Sequence, residues 1–453
     1  MLGTKALIFL CVLTVSSTLA IAMDGPLTRL ARNAVANDAA TAQAAIERLR
    51  AAGPEGLDAL LWLHAPALQR KATRLPVATT VDPVEPPAER IREAIDKVAG
   101  QKDAWLSRLY WHTDFEAAKQ AAASQGKPIL SLRLLGRLDE ELSCANSRFF
   151  RTALYANRDI ADHLRDRYIL HWQSVRPAPV ITIDFGDGRI IERTITGNSL
   201  HYILDRHGRV LDALPGLYAP QVFLANLQQW SEPQTAQTLN ALGDEQLQSY
   251  LTMHHTAQAE ALRRKWDAET KTIERFRKEQ REVNAAAVAE EAVRAQMLTV
   301  GKRMQEMPMM KAVMPGLAKL EEQTDAAMWR DLAVIYAEQA KLDDSSVLLM
   351  RSKHPTAVEA GVRALTKIRV EDPLLRIVRS FERSIAEDTV RNEYQLRPQL
   401  RAWIAEQRVT DLAAFTNRVY DELFLTPGDD PWLGLGSEDA YTALPSRGIV
   451  QAK

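Results

Sequence analysis

The sequence predicts an α/β domain set between an N-terminal helical segment and a larger, mainly α-helical C-terminal region. Three observations predict it. Residues 24–74 repeat Ala and Leu at helical spacing. Residues 105–230 alternate short apolar runs and turn signals with helical stretches. From residue 233 onward no strand pattern is found.

In chain order, the first element is a leader. Lys5 precedes an apolar run from Ala6 to Leu13, and small residues lead to Ala20-Ile21-Ala22. A basic start, a short apolar core and an Ala-x-Ala end read as a secretory signal over residues 1–22. The run is short for a membrane span of ~20 residues. No later stretch is apolar enough to cross a membrane, so the expectation is an exported chain, periplasmic or secreted, without a membrane once the leader is gone. Cys11 leaves with the leader, and Cys144 is then the sole cysteine. A lone cysteine in an oxidising compartment is buried, joined to another molecule, or chemically active.

The remaining composition is that of ordinary globular material. The chain has 453 residues, 46% hydrophobic and 25% charged, with a formal net charge of -1. Nucleic-acid binding is not expected, because it calls for a basic face.

Leu27, Leu30, Ala31, Ala34, Ile46, Leu49 and Ala52 recur at helical spacing until Gly53-Pro54 interrupts them. Gly56 to Ala65 continues as a helix that Pro66 ends or kinks. Pro76, Pro83, Pro86 and Pro87 mark a linker over 75–88. Asp114 to Gln125 is a helix ending at Gly126, and Ile129-Leu130-Ser131-Leu132 is a short buried strand. Helical spacing returns from Cys144 to Arg167, and Tyr168 to Trp172 is a strand. Val180–Phe185 and Arg189–Thr194 flank Gly186-Asp187-Gly188, a hairpin signal. Leu200–Leu204 and Arg209–Ala213 flank a second turn ending at Gly208. Ala219 to Trp230 closes the domain as a helix.

Beyond it, the region 233–425 is helical. Residues 256–300 form a long charged helix whose stripe of Leu262, Trp266, Ile273, Phe276 and Val283 suits either a coiled coil or packing against its own chain. Ala326–Gln339 and Pro398–Glu406 are further helices, Pro398 sitting at a first position where its missing N–H is harmless. Residues 426–453 form an irregular tail.

Within 105–230 a series of residues resembles the thioredoxin superfamily, in particular its exported members. Trp111, Asp114-Phe115-Glu116-Ala117-Ala118-Lys119 and Gly126-Lys127-Pro128-Ile129-Leu130 match the domain entry. Cys144-Ala145-Asn146-Ser147 falls where that family carries Cys-x-x-Cys. Tyr155, Ile160-Ala161, Leu164 and Tyr168-Ile169 follow in register, and Leu200–Gly208 with Pro215-Gly216 matches the later hairpin. Three departures stand out. Ser147 replaces the second cysteine, Ser199 replaces the proline before the hairpin, and residues 134–142 lengthen the loop before Cys144.

The resemblance implies a Cys144 sulfur at an exposed helix start beside the edge of a small mixed sheet. Free N–H groups and the helix dipole favour the thiolate there. Cys144 would then be the attacking thiolate, Ser147 a hydrogen-bond donor to it, and Asn198-Ser199 the substrate-docking edge. Without a second cysteine the cycle is monothiol, and glutathione or a thiol-containing protein would be its partner. The alternative is a non-catalytic scaffold whose helical regions bind a protein partner. Asp139, Glu140 and Glu141 oppose a thiolate. Arg133, Arg137, Arg148 and Arg151 surround the same helix with positive charge suited to an anionic ligand or to the thiolate.

No cofactor and no metal site is expected. His254-His255 point apart on a helix, and His112, His163, His171, His201 and His207 are scattered. His163 sits one turn from Asp159, a surface pair. Asp184 and Asp187 serve a turn. Met304, Met307, Met309, Met310 and Met314 suit either Cu(I) or gap filling in a core.

Overall fold

The computed structural model describes residues 25–73, 87–194, 198–283, 326–353 and 373–424. The leader, most of the linker, residues 284–300 of the long helix, the methionine cluster and the tail from 426 lie outside them.

Helices α1 (Pro26–Asn33), α2 (Ala39–Ala51), α3 (Pro54–Thr73) and α4 (Ala88–Ala99) pack Leu49, Leu60, Ile91, Ile95 and Val98 into a core of their own. Asp38 caps α2 by accepting from the Thr41 amide at 2.9 Å. Pro66 neither ends α3 nor stops it, since the helix runs on to Thr73. A proline leaves the carbonyl four residues back without its donor. Here that residue is Trp62, on the solvent side, where water can serve the group. Arg50 ties this bundle to the next unit by donating to the carbonyls of Val98 and Trp111, at 2.8 and 2.5 Å.

The second unit is a mixed sheet. Its strands are β1 (Trp111–His112), β2 (Ile129–Leu135), β3 (Ile169–Arg176), β6 (Leu200–Leu204) and β7 (Val210–Pro215), in the order β1-β3-β2-β6-β7. β1, β3 and β2 run parallel; β6 and β7 are antiparallel. β2 is buried along its whole length, as its near-continuous apolar run Ile-Leu-Ser-Leu-Arg-Leu-Leu requires of a central strand.

Helix α5 (Phe115–Gln125) joins β1 to β2. Helix α6 (Ala145–Phe149), a widened turn (Phe150–Tyr155) and α7 (Arg158–Arg167) join β2 to β3. The crossover from β3 to β6 holds the hairpin β4 (Val180–Asp184) and β5 (Ile190–Thr194), whose strands pair only with each other. Asp184 and Asp187 serve its turn, accepting from the amides of Gly186 (2.8 Å) and Arg189 (3.1 Å).

Register assigns the two faces. Trp111, Leu132, Trp172, His201, Ile203 and Asp212 share one. The turn after α6 and helix α8 (Pro220–Ser231) cover it. There His201 meets Tyr155 at 2.7 Å and Phe223 at 5.1 Å between rings. Ser131, Arg133, His171 and Tyr202 share the other face. Phe115 of α5 covers one side of it, at 5.1 Å from the His171 ring.

The C-terminal region adds α9 (Pro233–Ala241), the long α10 (Asp244–Val283), α11 (Ala326–Ile335), α12 (Asp344–Lys353), α13 (Pro373–Arg391), α14 (Arg397–Glu406) and α15 (Leu412–Arg418). α10 begins earlier than residue 256 and lies against its own chain. Trp266 meets Trp329 and Tyr394, with ring centroids 5.6 and 4.9 Å apart. α15 and the widened turn Val419–Leu423 cover the part of α5's sheet face around Tyr202. Tyr202 reaches Thr416 at 3.2 Å, and its ring lies 6.0 Å from Phe415. Among the described residues no helix is long and apolar enough to cross a membrane.

Candidate functional site

Cys144 stands at the start of α6, as the N-cap residue with extended backbone. Its amide donates to the Leu135 carbonyl at 3.1 Å, and its own carbonyl accepts from the Arg148 amide at 3.2 Å. The helix start expected from the residue spacing is therefore present. The exposure is not: Cys144 is 0% exposed. Its Sγ lies 3.2 Å from Ser199 Oγ, and Ser199 is equally buried.

Ser147 does not face the sulfur. Its hydroxyl donates to the Cys144 carbonyl at 2.9 Å. A serine in the first turn of a helix finds that acceptor within its own turn, and this local bond wins over the thiol. The role of donor to the thiolate is thus not the one the geometry gives it.

The predicted docking edge is brought beside Cys144 and is already occupied. The Asn198 carbonyl accepts from Tyr420 Oη at 3.1 Å. The Asn198 amide group donates to the Phe424 carbonyl at 3.5 Å. Residues of the turn after α15 thus take the place an extended substrate would need.

The acids of the loop before Cys144 are paired with basic side chains. Arg137 pairs with Asp139 at 2.7 Å and Glu140 at 3.3 Å; Lys353 of α12 pairs with Glu141 at 2.9 Å and Asp103 at 2.6 Å. Burial pushes the Glu141 carboxyl up, but Lys353 and Arg151 outweigh this and hold it below its usual range.

The arginines around α6 separate into different roles. Arg148 donates to Thr194 at 2.9 Å and so fastens the end of β5, while Thr194 donates to the Ser143 carbonyl at 3.0 Å. Arg151 is buried, faces Asp103 at 3.8 Å and donates to the Glu140 carbonyl at 3.2 Å. Arg133 is buried on β2 and donates to Ser131 Oγ at 2.7 Å. Burial lowers its pKa to about 10, and Tyr202 and Tyr420 offset this only in part.

Among the described residues no group of His, Cys, Asp and Glu could hold a metal, though His254 and His255, expected to point apart, meet edge to face at 5.2 Å between rings. His254 and His255 pack around Trp230, at 4.8 and 6.3 Å between rings, and His255 Nε2 meets the Leu211 carbonyl at 2.9 Å. His163 meets Ser231 at 2.9 Å. His171 meets Ser131 at 2.8 Å.

Sequence reasoning missed Ser131, Tyr420 and Thr416. Ser131 left a signal: it is a hydroxyl inside an otherwise apolar strand. Tyr420 and Thr416 left none, because they reach the site from more than 200 positions away.

No protein-family model matches this chain, and no curated protein or solved structure is significantly similar to it.

Proposed function

We propose that this is an exported thioredoxin-like protein whose α/β domain serves as a scaffold, with helical regions that bind a protein partner. The strand order β1-β3-β2-β6-β7 and the placement of Cys144 at the first helix after β2 support the thioredoxin-like part. The leader at residues 1–22 supports export.

One observation carries the scaffold reading. Cys144 is sealed, and the edge beside it is bonded to the chain's own Tyr420 and Phe424. Thiol–disulfide exchange needs a thiolate that a second sulfur can approach in line. A buried free cysteine packs as a small hydrophobe instead. The helical surface offers apolar groups for a partner: α11 and α13 pack together and expose Val334, Ile335, Leu375 and Ile377.

The monothiol reading retains one observation, the sulfur at an N-cap 3.2 Å from Ser199 Oγ. It requires residues 419–424 to leave the edge first. A thiol titration of the folded protein separates the two. The scaffold reading expects no reaction of Cys144 with Ellman's reagent until denaturant is added, and equal insulin reduction by wild type and Cys144→Ser with glutathione present. Prompt native reaction together with a Cys144-dependent reductase rate would overturn it.

A further inference from the structure

Among the described residues, the buried arginines follow a rule with one departure. Arg397 meets Asp212 at 2.7 Å and Glu393 at 2.6 Å, Arg401 meets Asp212 at 3.9 Å, and Arg151 meets Asp103 at 3.8 Å. Arg133 is 5% exposed, and among the described residues no carboxylate lies within ion-pair distance of it. Its bonds go to Ser131 Oγ at 2.7 Å and, at 3.5 Å, to the Leu132 carbonyl. The Tyr202 ring lies 5.9 Å from its guanidinium carbon. One hydroxyl, one long carbonyl contact and one ring do not offset the cost of taking a guanidinium out of water, which is several kcal/mol.

The group is also held in a fixed pose. Ser131 Oγ accepts from Arg133 and lies 2.8 Å from His171 Nδ1. Burial, with Arg133 and His112 nearby, keeps His171 neutral. The chain Arg133–Ser131–His171 thus orients the guanidinium. The register opens one side of the site. Arg133 pairs across the ladder with Gln173, which shares its face and is exposed, while Tyr420 and Tyr202 bound the other side.

We propose that Arg133 anchors a binding site for a carboxylate, entered over Gln173 on this face of the sheet. A planar guanidinium matches a carboxylate by two parallel N–H···O bonds, and the exposed Gln173 amide can add a third donor. The carboxylate belongs either to a small free acid or to a peptide chain end; both present the same group.

Calorimetric titration of the full-length chain in chloride at fixed ionic strength tests this with acetate, triglycine and triglycinamide. Acetate and triglycine should bind saturably, and triglycinamide should not. Triglycine tighter than acetate by about tenfold or more identifies a chain end, and equal affinity identifies a small acid. Arg133→Met should abolish binding. Arg133→Lys, which keeps the charge and loses the fork, should weaken it about tenfold. Far-UV circular dichroism of each variant checks the fold. The site is refuted if wild type binds no carboxylate, if triglycinamide binds like triglycine, or if both folded variants bind like wild type.

Discussion

At the residue scale, Tyr420 closes over Cys144 with one hydroxyl. Tyr420 Oη donates to the Asn198 carbonyl on the edge beside the sulfur. Removing a partner from a buried hydrogen bond costs about 1–3 kcal/mol, because the remaining group keeps its desolvation penalty. Tyr420→Phe removes the hydroxyl and preserves the ring. If Cys144 becomes reachable when this turn lifts, the variant should open about five- to a hundredfold more often. Native-state labelling of the thiol should accelerate by the same factor, with little change in labelling slope against urea. An unaltered labelling rate would mean that Cys144 is reached only by global unfolding. The position of Cys144 at a helix start was legible, because the helical spacing resumes there after an irregular loop. Its burial was not. The covering residues come from the far end of the chain, and no local pattern around Cys144 encodes them. Ser147 shows the same limit on a smaller scale. Its identity in the motif says nothing about whether the hydroxyl turns to the sulfur or to a carbonyl of its own turn.

At the element scale, the C-terminal helices are locked to the sheet by a buried charge cluster. Asp212 on β7 is 0% exposed and accepts from Arg397 at the start of α14, which also pairs with Glu393. Trp230 of α8 donates to the same carboxylate at 3.3 Å, and the Asn392 side chain donates to the Leu217 carbonyl at 2.7 Å. Burial drives the Asp212 carboxyl up, but Arg397 and Arg401 outweigh it and hold the group ionised well below its usual range. Arg397→Ala would leave Glu393 without its ion pair in the interior and Asp212 with only the longer Arg401 contact at 3.9 Å. The expected loss is about 3–5 kcal/mol in urea unfolding, with faster amide exchange in α14. Replacing Asp212, Glu393, Arg397 and Arg401 together by apolar residues of similar volume should cost far less, since the cluster's net worth is small. A single-variant loss below about 1 kcal/mol would show that the cluster does not hold these helices. The elements themselves were readable. Gly186-Asp187-Gly188 marked a hairpin because glycine adopts the positive φ that its turn demands, and Pro398 marked the start of α14. Their docking was not readable. Asp212 and Arg397 are indistinguishable from surface charges until the fold brings them together, and β7 reads as an ordinary hairpin strand.

At the scale of the whole molecule, buried histidines tie stability to pH. Burial lowers His201 to about 3, and burial with Arg133 and His112 nearby lowers His171 to about 3. In the unfolded chain both titrate near pH 6.5. Below that pH the unfolded state binds protons that the native state refuses. The stability these groups supply is complete above about pH 6.5 and is lost as pH falls towards their native values. Each contributes a slope of about 1.4 kcal/mol per pH unit in that window. Asp96 acts in the opposite sense. Burial raises its carboxyl to about 6, against Lys102 at 3.1 Å and the Ala104 amide at 2.9 Å. Between about pH 4 and 6 the native state holds a proton there that the unfolded state has lost, so this group stabilises as pH falls. Burial also lowers His254 to about 4, and His64, His112, His163 and His255 shift the same way, so the histidines outweigh Asp96 and stability declines as pH falls from about 6 to 4. Asp96→Asn should steepen the decline by about 1.4 kcal/mol per pH unit, and His201→Phe should make it shallower by about the same amount. Urea midpoints from pH 7 to 4.5 measure both. A wild-type stability that is flat or rising as pH falls through this range would mean that these imidazoles titrate alike in the folded and unfolded chain, and that neither is buried as described.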